Sequence, residues 1–412
     1  MRTTTVQNGV PFALTPEACE RLGDDPISVE SCISQEYFEK ERDRVFRKSW
    51  LMLGREDQVP KPGDYFVQEL EMFNTSLLIA RGRDGVVRAF HNVCSHRCNK
   101  LVWDDSGNTR SFVCGFHGWS YQTDGALRFV PQEEIFPPID HSANGLTPVA
   151  TGVWRGFIFV KMDGTAGVGL DEFMAPFTDS LESYPFEQNT HCYGFRTVID
   201  SNWKLTLDAF LESYHVRFLH QQTVAELFRN TKDEAAADAY GIELFKRHGR
   251  FTVPGVSASR SHPLEDLIIN TAMSFYEVKE DGAGIPPGLN NAGGTSWAFD
   301  GLYIFPNTLL LINGGGAYVE MDVQPLGPDR SVWTARSYSL PAKDGLERFV
   351  QEYNVILGRD TMLEDGSPLE VTQAVLASGA KKEMILGDQE LMLRHLHDVV
   401  DQVVNGEEAS IA

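Results

Sequence analysis

The stretch that decides this chain reads C-S-H-R at 94–97 and C-G-F-H-G-W at 114–119, with 17 residues between His96 and Cys114. One cysteine and one histidine sit at each tip, spaced C-x-H in the first and C-x-x-H in the second. Zinc sites pair like with like, as C-x2-4-C and H-x3-5-H. Here Cys94, His96, Cys114 and His117 supply one thiolate and one imidazole from each side. That pattern suits a two-iron cluster with both thiolates on one iron and both imidazoles on the other, a Rieske [2Fe-2S] centre. One structural zinc is the alternative for the same four side chains.

The surrounding sequence fits a cluster held between turns. Short apolar runs at 64–67, 76–80, 86–93 and 111–113 are separated by turn signals, and Asp84-Gly85 and Asp124-Gly125 are expected as two-residue hairpin turns. These make a small antiparallel β domain over 51–165, ending in the glycine-rich segment M-D-G-T-A-G-V-G. Cys98, four residues after Cys94, is expected to be a small buried neighbour of the cluster rather than a ligand. Before this domain, residues 1–50 hold a charged helix at 36–50, with Phe38, Val45, Phe46 and Trp50 along one side, expected to pack on the larger domain.

The larger domain, 166–412, completes an α+β chain of 412 residues, too long for a single core. It reads as helix over 200–220 and 223–247, a loop at 282–294, strands at 303–305, 309–312 and 331–339, and two closing helices at about 345–357 and 368–404. With 36 Lys and Arg against 58 Asp and Glu, the net charge is -22, which argues against a general nucleic-acid or membrane-surface binder. Six cysteines in such a length make no disulfide framework, and there is no apolar signal core at 1–10, so a cytoplasmic location is expected.

A second constellation lies at Asp208, Glu212, His215 and His220. On one helix the first three share a face, but His220 falls roughly 140° from His215. If both histidines bind one metal, the helix must bulge or break between them. Two imidazoles and one carboxylate form the facial triad of a mononuclear Fe(II) site open to dioxygen. The carboxylate must come from elsewhere: Asp365 in L-E-D-G-S-P-L-E-V-T-Q, where a helix is expected to begin, or Asp388 in L-G-D-Q-E. Asp208 either supports the histidines or solvates a turn of helix.

Taken in order, C-S-H-R, C-G-F-H-G-W, N-W-K, E-S-Y-H-x4-H and E-D-x4-E-x2-Q resemble the catalytic α subunit of the Rieske non-haem iron oxygenases. The resemblance implies a small all-β Rieske domain, a catalytic domain with a helix-covered antiparallel sheet, and a head-to-tail homotrimer. It implies His215, His220 and Asp365 as iron ligands, and Glu212 as the acid bridging to His117 of a neighbouring copy. Many relatives carry Asp at the position of Glu212 and Asn at that of Ala209. The implied chemistry is O2 activation, with electrons from NAD(P)H through a ferredoxin or flavin reductase. Arg97, Lys100 and Arg110, near the cluster in an otherwise acidic chain, are candidate docking charges for that donor, the favoured alternative being a buried hydrogen-bond donor at Arg97 and ordinary surface charges at the other two. Phe210, Leu211, Val216, Leu219, Tyr303, Phe305, Leu309 and Ile312 are candidate walls for a small apolar or aromatic substrate. Monooxygenation ending in N- or O-dealkylation, of a quaternary ammonium or chloroacetanilide type of compound, is the expected outcome. Cis-dihydroxylation of an aromatic ring is the alternative within the family, and a Rieske electron carrier the alternative outside it.

Overall fold

Strand 157–161 reads F-I-F-V-K, apolar toward both faces, and the computed structural model places it inside a sheet rather than at an edge. The structure describes residues 6–7, 10–11, 22–164, 167–225, 240–253, 262–268, 285–291, 297–313 and 317–407. The chain divides into two units, Phe46–Ala175 and Met1–Val45 with Pro176–Ala412.

In the smaller unit seven strands run in the order Leu51–Arg55, Phe157–Lys161, Pro148–Trp154, Val87–His91, Thr75–Arg81, Asp64–Leu70, Ser106–Asn108. A second sheet of three, Leu127–Phe129, Ser120–Tyr121 and Phe112–Val113, carries the second cluster motif. The two Asp-Gly turns differ from the two-residue form expected. In each, the glycine N–H bonds to the carbonyl three residues earlier (Gly82, Gln122) and the glycine lies at positive φ, so the loops hold three residues. Gly125 has a second reason to be glycine, because a Cβ there would sit 2.4 Å from a ring carbon of Phe90.

The larger unit is built on one antiparallel sheet in the order His191–Ile199, Arg330–Ser339, Ala317–Gly327, Thr308–Asn313, Phe299–Ile304, Gly249–Val253, Tyr240–Leu244. The expected helix at 223–247 is therefore corrected at its end: residues 226–239 lie outside the described set, and Tyr240–Leu244 is an edge strand pairing with Gly249–Val253. The loop at 282–294 is described only over 285–291.

The expected helix at 200–220 is two short pieces, Trp203–Asp208 and Val216–Leu219, so the chain does break between the constellation's members. Nor do the closing helices follow the expected division. A single helix runs Gly345–Leu376, and a last one Leu391–Asn405. Pro368 does not start a helix; it lies inside the first, where it has no N–H to give the Glu364 carbonyl, and the helix continues past it.

Long-range contacts tie these helices together. Asn202 caps the Trp203–Asp208 helix with its side chain, and its own N–H donates to Gln373 Oε1 at 2.8 Å. The Gln373 amide donates in turn to the Cys32 carbonyl at 3.1 Å, while Glu370 accepts the Asp200 N–H at 3.3 Å. The N-terminal helical turns join the same core. Glu41 is wholly buried; it takes the Trp203 indole N–H at 3.1 Å and pairs with the equally buried Lys204. So N-W-K and Gln373 belong to one buried polar joint, while Glu370 meets Asp200 at the surface. No helix among the described residues is long and apolar enough to cross a membrane.

Candidate metal centres

The first centre is made by two loops of the same form. In one, Cys94 N–H bonds to the Asn99 carbonyl and Cys98 N–H returns to the Cys94 carbonyl at 3.0 Å; in the other, Cys114 N–H bonds to the Trp119 carbonyl and Gly118 N–H returns to the Cys114 carbonyl at 2.9 Å. The fifth residue of each loop, Cys98 or Gly118, lies at positive φ. Cys98 is exposed rather than buried, because the left-handed turn directs it out of the loop, and it holds the place that glycine holds in the sister loop.

Cys94 and Cys114 are only 1% and 2% exposed and belong to the unit's core, with Tyr65, Leu78, Phe90, Phe112, Trp119 and Tyr121. Their sulfurs meet donors. The Tyr121 hydroxyl lies 3.2 Å from Cys94 Sγ and itself accepts the Ser95 N–H at 2.9 Å, and Asn99 Nδ2 is 3.7 Å from Cys114 Sγ. Burial pushes the Cys94 thiol up against the pull of Tyr121 and the His96 N–H. At Cys114 burial also raises the thiol, but the N–H groups of Phe116 and His117 and the Asn99 amide outweigh it and the net direction is down. Donors aimed at sulfur suit a thiolate bound to iron. The two imidazoles gather beside them, His96 and His117 with ring centroids 4.5 Å apart. His96 stacks on Trp119 at 5.0 Å, whereas His117 is exposed. Tyr121 is not singled out by the sequence reading, although its position two residues after Trp119, in the strand Ser120–Tyr121 that leaves the motif, is the signal that could mark it.

The second centre brings together His215, His220 and Asp365, whose ligand atoms all lie within 4.8 Å of one another. The break after Asp208 is what allows it: His215 stands just before the short helix Val216–Leu219 and His220 just after it, so both rings turn inward. Their Nε2 atoms are 3.1 Å apart, and Asp365 Oδ1 is 3.5 Å from one and 3.7 Å from the other. Asp365 does not begin a helix as expected. It lies in the middle of Gly345–Leu376 and is 2% exposed, so a helix-start role does not explain its carboxylate. Asp388 lies on the surface in a separate 3-10 turn.

The donor set fits a metal ion. Both oxygens of Asp365 are buried without a hydrogen-bond partner, a costly state for a carboxylate unless a cation takes them. Burial pushes its acid up to about 7. The outward nitrogens are occupied by acids: His215 Nδ1 bonds to Glu212, whose other oxygen takes the His215 N–H at 3.1 Å, and His220 Nδ1 lies 2.7 Å from Glu364 Oε2. His215 is drawn down by burial, but Glu212 reverses the direction and raises it.

Asp208 is not a partner of either iron histidine. It is buried with Oδ2 at 3.0 Å from His397 Nε2. Among the expected wall residues, Leu211, Tyr303, Phe305, Leu309 and Ile312 are buried, and Val216 and Leu219 half-buried. The Tyr303 hydroxyl is used on the Pro306 carbonyl at 2.8 Å. Phe210 packs against Trp333 with ring centroids 5.2 Å apart, and Phe195 meets the same indole at 5.2 Å. Glu364 and Trp333 were missed in the sequence, Glu364 because it reads as the neighbour of the more obvious Asp365.

The Rieske [2Fe-2S] domain family matches residues 49–140, and the ring hydroxylating alpha subunit (catalytic domain) family matches residues 186–406. The chloroplastic choline monooxygenase of Spinacia oleracea is 32% identical over 202 residues, covering 48% of this chain and 45% of that protein. The 2-aminobenzenesulfonate 2,3-dioxygenase subunit alpha of Alcaligenes sp is 28% identical over 332 residues, 78% of this chain and 77% of that one. This chain thus spans about half the length of the choline-type relative. In fold it is similar to the quaternary ammonium Rieske monooxygenase CntA, with TM-score 0.74 and 18% identity over 95% of this chain and 98% of that one. Naphthalene 1,2-dioxygenase follows with TM-score 0.70 and 22% identity over 92% and 91%. With the catalytic-domain family matched over more than half of the chain and the Rieske domain family ahead of it, the chain belongs to the Rieske-type ring-hydroxylating alpha subunits.

Proposed function

We propose that this chain is the terminal oxygenase of a multicomponent system, and that it monooxygenates a carbon bonded to nitrogen or oxygen, so that the product loses an alkyl group. The observation that carries an oxygenase over an electron carrier is the buried set of His215, His220 and Asp365 with its unpartnered carboxylate. A carrier has no use for it. Bound there, iron supplies the activation of dioxygen, and a [2Fe-2S] cluster on Cys94, His96, Cys114 and His117 stores the second electron this requires.

Each residue then has a definite task. Asp365 and the Nε2 atoms of His215 and His220 would hold the ion as a set of two imidazoles and one carboxylate. Glu212 keeps the proton on His215 Nδ1 and holds the ring. Phe210, Leu211, Val216 and Leu219, next to the histidines in sequence, are read as excluding water from the reacting carbon. Aromatic faces such as Phe210 suit an apolar group or a quaternary ammonium cation equally. The choline-type relatives favour the cation: besides choline monooxygenase, the glycine betaine monooxygenase oxygenase subunit of Chromohalobacter salexigens is 30% identical over 223 residues. Electrons come from NAD(P)H through a ferredoxin or flavin reductase. A head-to-tail homotrimer would set the exposed His117 of one copy against Glu212 of the next.

The second reading, cis-dihydroxylation of a ring, is favoured by the dioxygenase subunit that matches over 332 residues. Product analysis under labelled dioxygen separates the two, using choline, betaines, N-alkyl and O-alkyl compounds and polycyclic aromatics as the panel. One labelled atom is expected in the aldehyde released from the lost alkyl group, with none in the dealkylated amine or alcohol. Two labelled atoms kept on one ring would replace dealkylation with dihydroxylation.

A further inference from the structure

We propose that Glu364 is the positioning residue that fixes His220 as an iron ligand, an inference that rests on the reading of His215, His220 and Asp365 as an iron site. An imidazole has two ring nitrogens, and the hydrogen bond made by one decides what the other can offer a metal. In His220 the inward nitrogen is Nε2, at 3.1 Å from His215 Nε2 and 3.7 Å from Asp365 Oδ1. The outward nitrogen, Nδ1, lies 2.7 Å from Glu364 Oε2. A carboxylate only accepts, so the hydrogen of neutral His220 belongs on Nδ1 and the lone pair of Nε2 is left for the ion. Glu364 is itself held: the Thr223 hydroxyl donates to the same Oε2 at 2.7 Å, from the turn that follows His220.

The arrangement matches that of Glu212 on His215, but the two acids reach their histidines differently. Glu212 lies three residues before its partner, in one short stretch of chain, whereas Glu364 is 144 residues beyond His220. It stands beside Asp365 in the long helix Gly345–Leu376. One turn of that helix therefore delivers a ligand and the anchor of a second ligand, so iron loading depends on the helix through two side chains rather than one. The negative charge of Glu364 also strengthens His220 as a donor to a dication.

The test uses the full-length protein with its cluster retained and the mononuclear site emptied by a chelator, titrated anaerobically with Co(II). Affinity and the ligand-field absorption of bound Co(II) are read together, so that turnover is not needed. Glu364→Ala is expected to weaken Co(II) by about 10- to 100-fold and to alter its absorption, with the Rieske spectrum unchanged. Glu364→Gln keeps an oxygen acceptor for the Nδ1 hydrogen and is expected to recover most of the affinity. Wild-type affinity and absorption in Glu364→Ala would overturn the proposal, and so would a Gln variant as weak as the Ala variant. If the wild-type protein itself binds no Co(II), the iron-site reading fails and the role of Glu364 falls with it.

Discussion

Cys94 and Cys114 are held by N–H and O–H donors, whereas His215 and His220 are held by carboxylates. The difference follows from charge. A thiolate is an anion that burial penalises, so the first centre surrounds it with hydrogens; an imidazole binds metal as a neutral ligand, so the second centre fixes its outer hydrogen with acids. The scaffolds differ as well. The cluster ligands hang on two neighbouring turns whose backbone bonds close locally, between Cys94 and Cys98 and between Cys114 and Gly118. The iron ligands depend on a helix whose sequence lies far from the histidines it serves, joined through Asn202 and Gln373.

If the two centres are separate constructions, each can be destroyed alone. Cys114→Ala is expected to abolish the Rieske visible absorption while Co(II) still binds the triad. Asp365→Ala should do the converse, keeping the cluster spectrum and losing the metal. Both should lower turnover by about a thousandfold or more. Loss of both centres in either variant, measured by iron content and absorption, would break the comparison.

The next effect tests the distant scaffold. Lys204, on the short helix that leads to the histidines, and Glu41 form an ion pair with both side chains wholly buried. Lys204→Met leaves the Glu41 carboxylate without its cation and is expected to cost about 3–5 kcal/mol of stability. Denaturant unfolding followed by tryptophan fluorescence should move to lower midpoint, while the cluster absorption bleaches no earlier than in the wild type. Early bleaching would show that the two scaffolds support one another.

The same contrast explains what could be read from the sequence. The two Cys-His pairs stand out in the sequence as candidate cluster ligands, because each Cys and His shares a turn and the spacing alone brings them together. The pairing of His215 with His220 was legible only with the demand that the helix break, and the structure meets that demand with a non-helical stretch between Asp208 and Val216. Asp365 was marked by the family resemblance rather than by spacing, and its local setting was misread. Pro368 signalled a helix start, yet tertiary packing of the Gly345–Leu376 helix overrides the loss of a single backbone hydrogen bond. Glu364 and the roles of Glu370 and Gln373 could not be read at all, since their partners lie in another part of the chain. Tyr240–Leu244 reads as helix in the sequence because an edge strand has its pairing partner, and not its own periodicity, to define it.

A smaller effect separates the two sulfurs. Tyr121 gives Cys94 a hydroxyl donor that Cys114 lacks, its side-chain donor being the longer contact from Asn99. Donors to sulfur stabilise the more negative, reduced cluster. Tyr121→Phe removes one such bond and is expected to lower the reduction potential by on the order of 60 mV, the equivalent of about 1.4 kcal/mol for one electron. Spectroelectrochemical titration reads this directly. An unchanged potential would mean that the hydroxyl serves the Ser95 N–H alone.

The smallest effect lies within the first centre. Its two loops have the same backbone bonds, yet one places Gly118 and the other Cys98 at the left-handed position, with φ of 75° and 57°. An L-residue with a side chain is strained there by about 1–2 kcal/mol, whereas glycine is not. Glycine also frees the unfolded chain, which costs back about 0.5–1 kcal/mol. Cys98→Gly is therefore expected to stabilise the smaller unit by only about 0.5–1 kcal/mol. It should leave the cluster spectrum as it is, since Cys98 is exposed, whereas Cys94 and Cys114, proposed as the ligand sulfurs, are buried. Thermal bleaching of the cluster in the variant, moved up by a few degrees at most, is the measurement. A loss of cluster would show that the Cys98 side chain takes part in holding the loop, and that the two turns are alike in backbone only.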